Sequence, residues 1–195
     1  MSSNTLRLTV VVASVREGRF GPVVGDWFAE QARRHEGFEV DLIDLAEAEL
    51  PVALPATPLR MDPDPLRPAG MAELTASLAA ADAIVVVTPD INNSYPASIK
   101  TAIDWHYTEW SRKAVGFVGY SGAGGGLNAI AHLRQVFAEL DAHTVRDYVS
   151  FPRYYQLFDA DGRLTDPAVH EAAAAGMLDQ LHWWAVALTA ARTAA

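Results

Sequence analysis

The sequence predicts a doubly wound α/β protein, with a five-stranded parallel sheet in the order 2-1-3-4-5 and helices on both faces. Three observations lead there. Five short apolar, β-branched runs punctuate the chain, at residues 6–13, 38–42, 83–88, 114–119 and 144–149. Stretches of helical period separate them. The first, third and fourth runs are nearly continuous in apolar residues, as strands covered on both faces must be.

Each element has a local reason. The run over 6–13 is strand 1. Pro22 suits the first turn of a helix that continues to about Arg34 and ends near Gly37. Residues 38–42 form strand 2. Six of the eleven prolines then fall between Pro51 and Pro68, which predicts a long irregular connection, either a lid over a site or a surface excursion. Strand 3 follows at 83–88. Residues 97–110 repeat Ile99, Ala102, Ile103, His106 and Trp110 at helical spacing, with Ser94 as N-cap and Pro96 in the first turn. After strand 4 at 114–119, residues 127–140 present Ile130, Leu133, Val136, Phe137 and Leu140 on one helix face. Strand 5 at 144–149 leads to a last helix over about 167–192. Strands alternating with helices of this size make right-handed βαβ units, and the flavodoxin-like order accommodates five of them. No repeat or composition break divides residues 1–195, so one domain is expected.

Composition excludes several function classes. The chain has 195 residues, with 15 Lys+Arg against 24 Asp+Glu, a net charge of −9. Nucleic acid and anionic membrane surfaces are therefore not expected partners. There is no cysteine, which removes disulfides, thiolate metal sites and a cysteine nucleophile. No apolar run approaches a membrane span, and the first run, interrupted by Arg7 and Thr9, does not make a secretion signal. A cytoplasmic location is the expectation.

In an open α/β sheet, ligands bind beyond the carboxyl ends of the strands, where the strand order reverses. Here that crevice lies between strands 1 and 3, so three loops matter. The first is Ala13-Ser14-Val15-Arg16-Glu17-Gly18-Arg19-Phe20-Gly21, which leaves a strand and opens a helix. Its glycines, hydroxyl and two arginines suit an anion at a helix N-terminus; a solvated turn with arginines on surface acids is the plainer reading. The second is Thr88-Pro89-Asp90-Ile91-Asn92-Asn93-Ser94-Tyr95-Pro96. Alone, it reads as a polar turn before a capped helix, with Asn92 and Asn93 able to adopt strained loop conformations and to present amide donors and acceptors. The third runs from Gly119 to Leu127, and six of the thirteen glycines fall between residues 116 and 126. Such density lets main chain lie against a flat ligand.

Taken together, these residues resemble the NADPH-dependent FMN reductase family, a flavodoxin-like group that includes quinone, chromate and azo-dye reductases. Ala13-Ser14-Val15-Arg16-Glu17-Gly18 is similar to its G-S-x-R-x-G phosphate loop. Residues 88–105, T-P-D-I-N-N-S-Y-P-A-S-I-K-T-A-I-D-W, are similar to its T-P-E-Y-N-x-S-x-P-x-x-L-K-N-A-I-D-W. Gly122 to Gly126 match its glycine loop, and Leu133-Arg134 its following Leu-Arg. The resemblance implies an oxidoreductase that binds FMN and takes a hydride from NADPH or NADH. It implies that Ser14 and Arg16 hold the FMN phosphate, with Gly18, Arg19 and Phe20 completing that loop. Pro89, Asp90, Ile91 and Asn92 would lie along the isoalloxazine ring, and Ser121, Gly122, Gly124 and Gly125 at its pyrimidine edge. Arg19 departs from the family's serine, Ile91 from its tyrosine, Asp90 from Glu and Ala13 from Gly. No residue is assigned a catalytic or metal-binding role, since the cofactor carries the chemistry.

Rival readings fare worse. Gly119-Tyr120-Ser121-Gly122-Ala123 lacks the last glycine of a nucleophile elbow. The histidines make no metal-binding spacing, and His106 reads as a core residue. A phosphoacceptor pocket would need acids after strand 1, where Arg16 stands. A flavodoxin-type electron carrier is the main alternative, and an FMN-sensing or assembly protein a third. Trp105, Tyr107 and Trp110 on one helix, with Trp183-Trp184 on the last, suggest a homodimer or homotetramer. A small-molecule electron acceptor is the remaining expected partner.

Overall fold

In the computed structural model, which describes residues 5–62 and 65–194, strand β1 (Leu6–Val12) is flanked in parallel by β2 (Phe38–Asp44) and β3 (Ala83–Pro89). β4 (Ala114–Ser121) lies beyond β3. Among the described residues the sheet order is β2-β1-β3-β4-β5, with β6 also on β4. The expected order is present, and the three loops leave the same edge.

Helices cover both faces. α1 (Gly21–Arg34) and the long α6 (Ala168–Ala194) pack on one; α2 (Ala72–Ala80), α3 (Ala97–Trp105) and α5 (Leu127–Glu139) pack on the other. Because side chains alternate along a strand, β1 supplies both cores. Leu8 and Val10 join Phe28 and Leu181 on one side; Val11 joins Leu78, Ile99 and Phe137 on the other. Every residue of β3 is buried, which is why its sequence shows no polar alternation. No helix among the described residues is long and apolar enough to cross a membrane.

Four expectations need correction. The fifth strand is two pieces, β5 (His143–Thr144) and β6 (Val149–Pro152), both parallel to β4. Thr144 pairs Val115 and Val149 pairs Val118, so residues 145–148 oppose only 116–117. The extra backbone is satisfied from the helices instead. Arg134 of α5 donates to the Val145 carbonyl at 2.6 Å and the Arg146 carbonyl at 2.8 Å, and the Asp147 amide donates to Gln180 of α6 at 3.2 Å.

The helix over 97–110 is also broken. α3 stops at Trp105 and a single turn, α4 (Tyr107–Trp110), follows after His106 at φ −131°, ψ 59°. His106 is fully buried, with Nδ1 2.8 Å from the Ala102 carbonyl and Nε2 2.8 Å from the Thr75 hydroxyl. Burial pushes its pKa down, so the ring is neutral, donates at Nδ1 and accepts at Nε2. It is a core histidine.

Ser94 does not cap α3. Its hydroxyl lies 3.0 Å from His132 Nδ1, and Pro96 precedes the helix in extended conformation rather than entering its first turn. Finally, the aromatics of this helix are largely internal. Trp110 is fully buried, edge-on to Phe137 at 5.3 Å, and Trp105 donates to the Pro51 carbonyl at 2.8 Å. They fill this chain's own core and give no ground for a subunit seam through Trp110.

The proline-rich connection is a surface excursion. Arg67 pairs with Glu109 at 2.7 Å and donates to the Trp105 carbonyl at 3.0 Å, pinning the segment to α3 and α4. It borders an apolar groove with Ile103 and Tyr107, away from the three loops. Pro63 and Asp64 lie outside the described residues.

Candidate active site

The first loop continues β1 through an amide–carbonyl bond from Ala13 to Val87 of 2.9 Å. Ser98 of α3 donates its hydroxyl to the Ala13 carbonyl at 2.5 Å, which ties this loop to the helix after strand 3. The chain then turns, with Gly18 at φ 64°, and enters α1. That helix has no side-chain cap and no acid in its first turn, and Pro22 sits there as expected. The uncapped amides and the positive end of the helix dipole face outward beside Ser14.

The second loop is a tight hairpin. Ile91 and Ser94 exchange amide–carbonyl bonds of 2.8 and 3.0 Å. Asn92 and Asn93 between them take φ 52° and 63°, the double left-handed conformation that asparagine tolerates. Asp90 remains joined to β4, its amide donating to the Tyr120 carbonyl at 3.2 Å.

The third loop folds back on β4. The Leu127 amide closes on the Gly124 carbonyl at 3.2 Å, and the Ser150 hydroxyl donates to the Gly125 carbonyl at 2.9 Å. Gly125 and Gly126 have positive φ, whereas Gly122 and Gly124 stand in open space.

These loops enclose a cavity of about 170 Å³. Ser14, Arg16, Phe20, Pro89, Asp90, Ile91, Ser121 and Gly122 line it, eight of the thirteen residues assigned to the cofactor from sequence. The other five do not. Arg19 turns away, with Nη1 donating to both oxygens of Asp44 at 2.7 and 2.6 Å and to the Ser14 carbonyl at 3.1 Å. That pair is mostly shielded and anchors the loop to the end of β2. Arg16, by contrast, is exposed and has no ion pair among the described residues. Gly18 only shapes the turn. Asn92 sits at the hairpin tip. Gly124 lies outside the cavity, and Gly125 packs against Ser150 and Pro152.

Two lining residues escaped the sequence reading, Tyr120 and Tyr154. Tyr120 is the penultimate residue of β4, so its position at the same sheet edge was a usable signal. Tyr154 follows β6, beyond the motifs. With Phe20 these rings form one wall: Phe20 to Tyr154 at 4.8 Å, and Tyr120 to Tyr154 edge-on at 5.5 Å. The Tyr120 phenol is pushed up to about 12, first by burial, and stays protonated.

The site therefore combines an electropositive end, made by the α1 terminus and Arg16, with backbone-lined walls from the second and third loops. Such an end suits a phosphate, and flat walls suit a planar ring.

Comparison with known proteins agrees with this geometry. The family model described as NADPH-dependent FMN reductase matches residues 6–156. The chain is 34% identical over 123 residues to an NAD(P)H-dependent FMN reductase of Schizosaccharomyces pombe, covering 63% of this chain and 61% of that protein. It is 32% identical over 142 residues to a 2-hydroxy-1,4-benzoquinone reductase of a Burkholderia species, covering 70% and 72%. In fold it is similar to the flavoenzyme NAD(P)H:(acceptor) oxidoreductase FerB of Paracoccus denitrificans, with a TM-score of 0.68 at 24% identity over 92% of this chain and 97% of that one.

Proposed function

The chain belongs to the NADPH-dependent FMN reductase family, and from that premise we propose that residues 1–195 act as one FMN-binding oxidoreductase domain. It takes a hydride from NADPH, or NADH, and reduces a small-molecule acceptor such as flavin or a quinone. The observation that carries this reading is the single cavity where Ser14, Arg16 and the α1 terminus meet the second and third loops.

The residues present fit FMN. Arg16 and Ser14 supply a cation and a hydroxyl at the helix end. A space of about 170 Å³ is smaller than the roughly 300–1,000 Å³ of an enclosing ligand cleft. It suits the phosphate and its chain, leaving a ring at the rim, where donor and acceptor can reach it in turn. When bound, FMN supplies the hydride acceptance and electron transfer. Asp90 and Ile91 would flank the ring, with Ser121 and Gly122 at its other edge. Phe20 and Tyr154 would keep water from its stem. None of these residues needs to move a proton for the cofactor to be held.

The test is a flavin titration followed by turnover. Fluorescence quenching should show FMN binding with near-stoichiometric occupancy. NADPH oxidation should then accelerate when a quinone or free FMN is added. FMN binding without NADPH oxidation would support the electron-carrier reading instead, and no flavin binding at all would remove both.

A homodimer or larger assembly, in the cytoplasm where reduced nicotinamide is supplied, belongs to the same reading. Its support is the exposure of Val52, Leu54, Met61 and Leu66, four apolar side chains on the proline-rich connection. Light scattering at micromolar concentration should give at least twice 21.1 kDa; a fully active monomer would refute the assembly.

A further inference from the structure

The second loop gives the cavity a wall that its own structure supports poorly. Asp90 and Ile91 line the cavity. The hairpin beyond them is closed by the two backbone bonds between Ile91 and Ser94, and an isolated hairpin is marginal in water. Its tip, Asn92 and Asn93, holds φ 52° and 63°, a conformation that costs energy in any residue with a Cβ. Ile91 is 42% exposed and joins neither buried cluster of the core. A wall of this kind needs a brace from elsewhere in the fold.

α5 supplies it. Asn128 and His132 are four residues apart on this helix, so they stand on one face, one turn from each other. Asn128 Nδ2 donates to Asn93 Oδ1 at 3.1 Å, and His132 Nδ1 lies 3.0 Å from the Ser94 hydroxyl. The two bonds grip consecutive residues of the hairpin. The helix behind them is fixed, because Ala129, Ile130, Leu133 and Phe137 are buried. It also begins where the third loop ends, at Gly126 packed on Gly119. One helix thus braces both loops that face each other across the cavity. Neither Asn128 nor His132 lines that cavity.

We propose that Asn128 and His132 are positioning residues. They clasp the second-loop hairpin to α5, and so set the spacing of Asp90 and Ile91 from Ser121 and Gly122 on the third loop. This rests on the FMN reading above. The phosphate end, at Ser14 and Arg16, belongs to the first loop and is independent of the clasp. The pair therefore governs how the ring is held for donor and acceptor, and does not govern how tightly FMN is retained.

The double variant Asn128→Ala/His132→Ala removes both bonds and touches no lining residue. In the flavin-free protein, hydrogen exchange at the Ile91 and Ser94 amides should accelerate about tenfold or more, since the hairpin can then open locally. Exchange in β3 should not change, and the melting temperature should stay within about 3 °C of wild type, as all the altered side chains are exposed. The FMN dissociation constant should move by less than about threefold, because the first loop is remote from the clasp. The visible circular dichroism of the bound flavin should change, and kcat for quinone reduction should fall about threefold or more as the ring loses its fixed orientation. With His132→Asn in place of His132→Ala, most of the exchange protection and turnover should return, since that amide can stand where Nδ1 stood. Unchanged exchange at Ile91 and Ser94 would overturn the clasp. Faster exchange with unaltered flavin dichroism and kcat would reduce it to a structural tie and overturn the positioning role, as would a tenfold loss of FMN affinity. Wild-type protein that binds no FMN would overturn the FMN reading, whatever the exchange shows.

Discussion

Arg16→Ala should weaken FMN binding roughly ten- to a hundredfold while riboflavin affinity stays within about twofold. The range is that of one charge-assisted hydrogen bond, about 1.5–3 kcal/mol. Arg16 lines the cavity, is exposed, and makes no ion pair among the described residues. Its charge is therefore free for an anion at the α1 terminus. Arg19→Ala is the internal control. Arg19 is three residues away but is committed to Asp44 at 2.6 Å. Its loss should cost stability and should leave the ratio of FMN to riboflavin affinity near the wild-type value. Isothermal titration with both flavins measures all four constants. A collapse of that ratio in Arg19→Ala, with none in Arg16→Ala, would reverse the roles argued from the geometry.

Gly126→Val should destabilise the fold by about 3 kcal/mol or more, lowering the melting temperature by roughly 6–12 °C. Gly126 opens α5 at φ 86°, where a β-branched residue is strained. Space is equally short. A Cβ there would stand 2.5 Å from Gly119 Cα and 2.7 Å from the Tyr120 amide nitrogen, both backbone atoms that cannot swing aside. The same substitution at Gly122 should leave the melting temperature within about 2 °C of wild type, since nothing lies within 4 Å of its Cβ position. Gly122 lines the cavity, so the valine should instead abolish flavin uptake. Circular dichroism and flavin absorbance separate the two outcomes. A stable Gly126→Val protein would mean that the third loop is not braced on β4. The glycines thus divide: Gly125 and Gly126 hold the loop against the sheet, and Gly122 keeps a wall bare. From sequence, Gly124 and Gly125 were expected to carry the flavin contact. A Cβ on Gly125 would instead overlap the Ser150 hydroxyl, and Gly124 faces open space.

What the sequence determined by itself is the framework. The five apolar runs, the helical periods between them and the order 2-1-3-4-5 were legible because burial on one or both faces leaves a local pattern, repeated every two or 3.6 residues. The same reasoning put the first, second and third loops at one sheet edge, since parallel strands all end on the same side. Even the strained loop at Asn92 and Asn93 was readable, because tolerance of unusual backbone is a property of asparagine itself, and the structure shows it as left-handed. The tertiary structure decided whatever depends on a distant partner. Arg19 looks like a phosphate ligand until Asp44, 25 residues away, is brought beside it. The fifth strand splits because Arg134 and Gln180 take over its backbone bonds. His106 interrupts a continuous helical pattern while its ring meets Thr75 on another helix, and Trp110 turns inward on Phe137. Tyr120 reads as one more apolar strand residue. Only the fold sets its ring edge-on to Tyr154 and its hydroxyl against Gly21 at the cavity wall, because a contact between distant residues is a property of a place in space and leaves no periodic trace along the chain.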